Sequence, residues 1–150
     1  MAMTMNGQVQ LTASREVVWA KLNDPEVLRS CIPGSEQLDK ISENEFQAIA
    51  TVKVGPVKAR WKGKVRLSDL DPPNSYRISG EGEGGAAGFA KGGAKVSLAD
   101  KDGGTLLTYD VEAQIGGKLA QLGQRLINSA AKKTADDFFA KFAAAVRQAG

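Results

Sequence analysis

The side chains able to do chemistry in this sequence are few, and the missing ones decide most. Among 150 residues there is no histidine and one cysteine, Cys31. Without imidazole there is no Ser-His relay, no histidine general base and no histidine metal ligand. A lone cysteine makes no internal disulfide, which fits a reducing cytoplasm. Ser68 and Ser97 have no base beside them, and Asp110 and Glu112 lie on an outward strand face with Lys91 and Lys95. No acid, base or nucleophile set emerges, so the expectation is a protein that is not an enzyme, with no metal and no cofactor.

Two further stretches invite a chemical reading. Gly80 to Gly93 is rich in glycine. A dinucleotide loop needs a strand before it and a helix after it, and a P-loop needs Gly-Lys-Ser/Thr. Here the glycines fall within and between alternating strands, where they permit bulges, strong coiling and close backbone approach. A loop at the mouth of a binding site, Glu83 to Phe89, is the favoured functional reading. The second stretch is the basic row Lys58, Arg60, Lys62, Lys64 and Arg66. It is the solvent face of one strand, with Glu81 and Glu83 expected on the next, so cross-strand pairing explains it. A surface for a partner protein or lipid headgroups is the alternative. A net charge of +3 is too small to argue for nucleic acid.

The elements that would carry these residues follow from apolar periodicity. Gly7 to Ala13 alternates as a strand, and the residues before Gly7 read as a frayed start. Ser14 caps a short helix containing Val17, Val18, Trp19 and Leu22, and Asp24–Pro25 opens a second, Glu26 to Ser30. After Gly34 the period changes from 3.6 to 2. Six strands follow: Ser35–Ile41, Phe46–Val54, Ala59–Leu67, Tyr76–Gly82, Ala90–Leu98 and Leu107–Ile115, joined by turns such as Gly55–Pro56 and Asp102–Gly103. Tight turns make neighbours antiparallel, and one charged face per strand leaves one side of the sheet wet. The dry side must be covered by the last element, Gly117 to Ala149. There Leu119, Leu122, Leu126, Ala130, Thr134, Phe138, Phe142 and Val146 recur at helical spacing. The fold class is α+β, a curved antiparallel sheet of about seven strands around a long C-terminal helix, in one domain over residues 1–150.

The buried stripe of that helix has large residues at both ends and Ala130, Ala131, Thr134 and Ala135 between them. Phe46, Trp61, Tyr76, Ile78, Val96, Tyr109 and Val111 are the sheet residues that face it. On pattern alone two readings stand: these side chains fill the interior, or they line a cavity with Leu126, Ala130 and the loop residue Phe89.

The element order resembles the helix-grip fold of the START-like (SRPBCC) superfamily. The wording is closer still to the CoxG family, the G subunit of carbon monoxide dehydrogenase. The resemblance rests on Ile32–Gly34 (IPG), Val52–Lys58 (VKVGPVK), Lys62–Leu67 (KGKVRL) and Asp69–Pro73 (DLDPP). It continues in Gly80–Gly85 (GEGEGG), Gly88–Gly92 (GFAKG) and Ile115–Gly123 (IGGKLAQLG), covering nearly the whole chain. It implies a lipophilic, quinone-like ligand between sheet and helix, held by the ten residues named above. It also implies service to a molybdenum hydroxylase of the carbon monoxide dehydrogenase type, in the cytoplasm or peripherally at the inner face of the membrane. Some family members carry a long tail ending in a membrane-binding segment, a feature without counterpart in this sequence. The alternative is a recruitment or assembly adaptor for that enzyme without a ligand role.

Overall fold

The structure is a computed structural model, and it describes residues 1–149. Seven strands form one antiparallel sheet in the order β1-β7-β6-β5-β4-β3-β2. They are β1 (Ala2–Leu11), β2 (Ser35–Ser42), β3 (Glu45–Val54), β4 (Val57–Asp71), β5 (Ser75–Glu83), β6 (Phe89–Lys101) and β7 (Gly104–Gly116). Two short helices, α1 (Arg15–Leu22) and α2 (Pro25–Cys31), follow β1, and α3 (Gln124–Ala149) closes the chain. The expected architecture is the observed one.

Local chemistry starts each element. The Ser14 side chain accepts a hydrogen bond from the Val17 amide, and Asp24 accepts one from the Glu26 amide with Pro25 at the first helical position. Each satisfies an amide that the helix leaves unpaired. Asp102 and Gly103 both have positive φ, which gives the β6–β7 hairpin the twist that matches its strands.

Two boundaries differ from the sequence reading. The first strand begins at Ala2, five residues before Gly7, and pairs with β7 along its whole length. Met3 is buried and the Met1 ammonium donates to the Ile115 carbonyl, so this segment is part of the sheet. The long helix starts at Gln124, not at Gly117. Gly123 takes φ +92°, which only glycine adopts readily, and it ends a one-turn 3₁₀ helix at Ala120–Leu122. The helix therefore has 26 residues, about 39 Å at 1.5 Å per residue.

Antiparallel order sorts the connections to two ends. The β2–β3, β4–β5 and β6–β7 turns lie at one end, with α1 beyond the last residue of β1. The β3–β4 turn, the β5–β6 loop, the β7–α3 connection and the chain start lie at the other. The first is the closed end. There Val18, Leu22, Phe46, Leu67, Tyr76, Val96, Leu98, Leu107, Phe142 and Val146 form the larger apolar cluster. A second, separate cluster at the opposite end joins Met3, Val54, Ile115, Leu119 and Ile127.

Candidate functional site

Register decides what lies between the two clusters. Reading across the inner face, Ala48 pairs with Gly63, Gly63 with Gly82, Gly82 with Ala90 and Ala90 with Ile115. The next row toward the closed end runs Phe46, Val65, Gly80, Gly92 and Ala113. Four strands in succession thus present glycine or alanine beneath the helix. Ala48, Gly63, Gly80, Gly82, Ala90, Gly92 and Ala113 are all half-buried although they face inward. Opposite them α3 offers Ala130, Ala131 and Ala135, also half-buried. The close backbone approaches of α3 to the sheet are to β1 and β3, near its two edges. Over the central strands both surfaces present short side chains.

The glycines of these rows differ in what they allow. A Cβ built on Gly80 or Gly82 would meet its nearest neighbours at 3.5 and 3.4 Å, ordinary contact distances. One on Gly63 would come within 2.9 Å of the Glu81 carbonyl, and one on Gly92 would collide with that of Glu112. Gly63 and Gly92 therefore serve the close approach of strands, whereas Gly80 and Gly82 would admit a Cβ.

The residues chosen from sequence divide into three groups. Phe46, Tyr76 and Val96 lie in the filled closed-end cluster. Tyr76 meets Trp19 of α1 edge-on, with ring centroids 5.2 Å apart, and burial raises its phenol pKa, so it stays neutral. Ile78, Trp61, Tyr109, Val111 and Ala130 are half-buried around the small-residue rows. Tyr109 stacks on Phe139 at 5.1 Å, tying β7 to the helix. Phe89 and Leu126 are corrections. Phe89 is 52% exposed because it pairs with Gly116 on the outer face, one residue out of phase with the inward Ala90. Leu126 is 37% exposed: the restart of the helix after Gly123 turns Ile127 inward in its place, and Leu126 rests on Gly55. Thr134 is likewise exposed, its hydroxyl donating to the Ala130 carbonyl. Phe138 and Phe139 pack at the closed end, where the helical spacing puts them, whereas sequence reading missed the row of Ala48, Gly63 and Ala90 beneath the helix. Strand register was the signal, and it is not written in any single strand.

Around the small-residue rows the inner face offers hydrocarbon, the Trp61 indole and the Tyr109 phenol, groups that suit an apolar guest. Among the described residues no group of three His, Cys, Asp or Glu side chains is placed to hold a metal. Cys31 is buried in the closed-end cluster, and desolvation pushes its thiol pKa up, away from reactivity.

A hollow of about 690 Å³ is on the opposite surface of the sheet. Lys64, Arg66, Arg77 and Lys91 line it together with Glu45, Glu81 and Glu112. Lys64 stands opposite Glu81 and Lys62 opposite Glu83 in register, as the sequence reading expects, but the ion pairs formed are others. They are Arg60–Glu36 at 3.2 Å, Arg66–Glu45 at 3.3 Å and Arg77–Glu112 at 2.9 Å. Arginine's planar fork suits such pairs better than the lysine ammonium. All are solvent-exposed and contribute little to stability. An open hollow of mixed charge does not suit a lipophilic guest, so volume alone does not select it as the ligand site.

Comparison with known proteins adds three findings. The family model of CoxG, the G subunit of carbon monoxide dehydrogenase, matches residues 7–147. A comparison with curated proteins gives no match. Among solved structures, a conserved protein from Geobacillus kaustophilus superposes with a TM-score of 0.91 at 34% identity, over 97% of this chain and 96% of that one. A START superfamily protein from Mycobacterium smegmatis gives 0.75 at 13% identity, over 98% and 99% of the two chains. The Zhui aromatase/cyclase from Streptomyces sp. R1128 gives 0.72 at 12%, over 99% and 95%. The last two share the fold.

Proposed function

The chain belongs to the CoxG family, the G subunit of carbon monoxide dehydrogenase, and on that premise we propose that it holds a lipophilic, quinone-like molecule between sheet and α3. One observation carries the reading: the apolar core is in two pieces, with half-buried glycine and alanine rows between them. A single-domain core normally forms one contiguous packed cluster. Trp61, Ile78, Tyr109, Val111 and Ala130 border the gap and would contact the guest, with Phe139 at the closed side. Burial of apolar surface at about 25 cal/mol per Å² would drive binding. Aromatic rings at the border suit a flat ring, and the glycine rows suit a slender chain.

Among the described residues no acid, base or metal set accompanies the gap, which favours binding over turnover. The protein would act as an accessory to a molybdenum hydroxylase of the carbon monoxide dehydrogenase type, through peripheral contact with the membrane where such ligands reside. A second reading, an adaptor for that enzyme without a ligand role, draws on the charged hollow of the outer face.

Native mass spectrometry of protein purified from cells, before and after organic extraction, tests the proposal. A mass adduct that extraction removes, and that a naphthoquinone restores, is the expected result. Unliganded protein that also fails to take up menaquinone or ubiquinone analogues overturns it in favour of the adaptor.

A further inference from the structure

Two tyrosines stand in one row on the inner face. Tyr76 of β5 is the register partner of Val96, and Val96 is the register partner of Tyr109. One row on, away from the closed end, come Ile78, Ala94 and Val111, and after them Gly80, Gly92 and Ala113. The phenols therefore mark the level at which the closed-end cluster gives way to small residues. Ala94 is half-buried and short, so the second row has bulk at its sides and little at its centre. Along β5 the path from Tyr76 to Gly82 covers about 20 Å, at about 3.3 Å per residue.

The two phenols are held differently. The Tyr109 hydroxyl lies over Gly7 while its ring stacks on Phe139. Tyr76 is 3% exposed and meets Trp19 edge-on, yet among the described residues nothing hydrogen-bonds its hydroxyl. A buried phenol normally finds a partner, because a dry, unbonded hydroxyl costs free energy. Among the described residues no fully enclosed side-chain oxygen or nitrogen is left unpaired. The Tyr76 hydroxyl, which has no partner, therefore borders free space. Burial raises its pKa, so the phenol keeps its proton and is a hydrogen-bond donor at every physiological pH. One fixed donor in apolar surroundings sorts guests by where they carry oxygen.

We propose that Tyr76 orients the guest by donating a hydrogen bond from its phenol to an oxygen on the guest's ring. The ring then lies at the level of Ala94, against Ile78 and Val111, and its hydrocarbon arm runs over Gly80 and Gly82 toward the opposite end. The ligand class narrows accordingly to an apolar ring that carries a carbonyl or hydroxyl oxygen, in preference to a hydrocarbon of the same shape. The inference rests on the binding reading of the preceding section, and its test separates the two.

The test compares two guests of one frame: menadione, a methylated naphthoquinone, and methylnaphthalene, which has no oxygen. Tyr76→Phe should weaken menadione binding about fivefold, the worth of one neutral hydrogen bond, and change methylnaphthalene binding less than about twofold. Tyr109→Phe should change either by less than about twofold, because that hydroxyl lies over Gly7. In infrared difference spectra one of the two menadione carbonyl stretches should move to lower frequency on binding the wild type and return in Tyr76→Phe. The wild-type shift needs no variant, so it stands even if a variant folds poorly. Unliganded Tyr76→Phe should melt no lower than the parent, since the hydroxyl it removes is bonded to no described residue. Affinity and carbonyl stretch that ignore Tyr76→Phe would overturn the proposal and leave water as the hydroxyl's partner, with the binding reading intact. Equal losses for both guests would overturn it as well, by reducing Tyr76 to a packing residue. Loss in Tyr109→Phe alone would move the donor to β7 and overturn it. A wild type that takes up neither guest would overturn the binding reading and this inference together.

Discussion

The phenol of Tyr109 lies flat across Gly7 of the neighbouring strand, its register partner in β1. A Cβ on Gly7 would fall well inside the van der Waals contact distance of the Tyr109 hydroxyl. This arrangement holds the Tyr109 ring down where it can stack on Phe139. Gly7→Ala should lift the ring, break the stack and destabilise the domain by about 1–3 kcal/mol, the usual cost of overpacking. Urea unfolding measures it; the double variant Gly7→Ala with Tyr109→Leu should recover part of the loss.

Gly80 and Gly92 are register partners on adjacent strands with opposite tolerance. Gly80→Ala should fold with stability within about 1 kcal/mol of the parent, since its Cβ meets only ordinary contacts. Gly92→Ala should lose more, because the Glu112 carbonyl occupies that position. Gly80→Val should then reduce the uptake of a quinone analogue without unfolding the protein. A Gly80→Val variant that unfolds outright would show that the glycine serves the backbone instead of the interior space.

Ala130 lies on the helix above the gap. If the space is vacant, Ala130→Phe fills it without the overpacking cost of about 1–3 kcal/mol seen in solid cores. The melting temperature should hold or rise, and uptake of a naphthoquinone should fall at least about tenfold, as a filled pocket loses the apolar area that drives binding. A clear drop in melting temperature, with uptake unchanged, would mark the interior as solid.

The two tryptophans make that uptake readable. Trp61 borders the gap, while Trp19 is packed edge-on against Tyr76 at the closed end. A bound naphthoquinone should quench mainly Trp61. Trp61→Phe should keep binding by mass spectrometry and lose most of the quenching. Quenching that survives the change would move the ligand toward α1.

The first residues belong to the sheet. Removing Met1 to Met5 strips β7 of four of its ten register partners in β1 and exposes the cluster around Met3 and Ile115. Burial of Met3 alone represents about 2 kcal/mol of transfer free energy. The truncated chain should melt well below the full one, on the order of 10 °C or more, since about 1 kcal/mol shifts a domain of this size by several degrees. An unchanged melting point would return this segment to the frayed start that its sequence predicts.

Sequence alone determined the strand and helix order, the antiparallel pairing and the single covering helix, because period 2, period 3.6 and tight turns are local signals. It also determined what chemistry is missing, since an absent histidine is absent in every conformation. The start of β1 was not legible: Met1 to Asn6 has no strong alternation, and it is a strand because β7 offers it an edge to pair with. The start of α3 was not legible either, because apolar spacing continues through Leu119 and Leu122 while Gly123 breaks the backbone. Beside that break Leu126 is exposed while Ile127 is buried, and farther along Phe142 and Val146 stay buried as their spacing predicts. Phe89 failed in the same way, one residue from the inward Ala90, since a shift of one reverses the face in a strand. The small-residue row beneath the helix was decided by tertiary structure alone. Ala48, Gly63, Gly82 and Ala90 come from four strands spread over 43 residues of sequence, and only the cross-strand register brings their short side chains into one row.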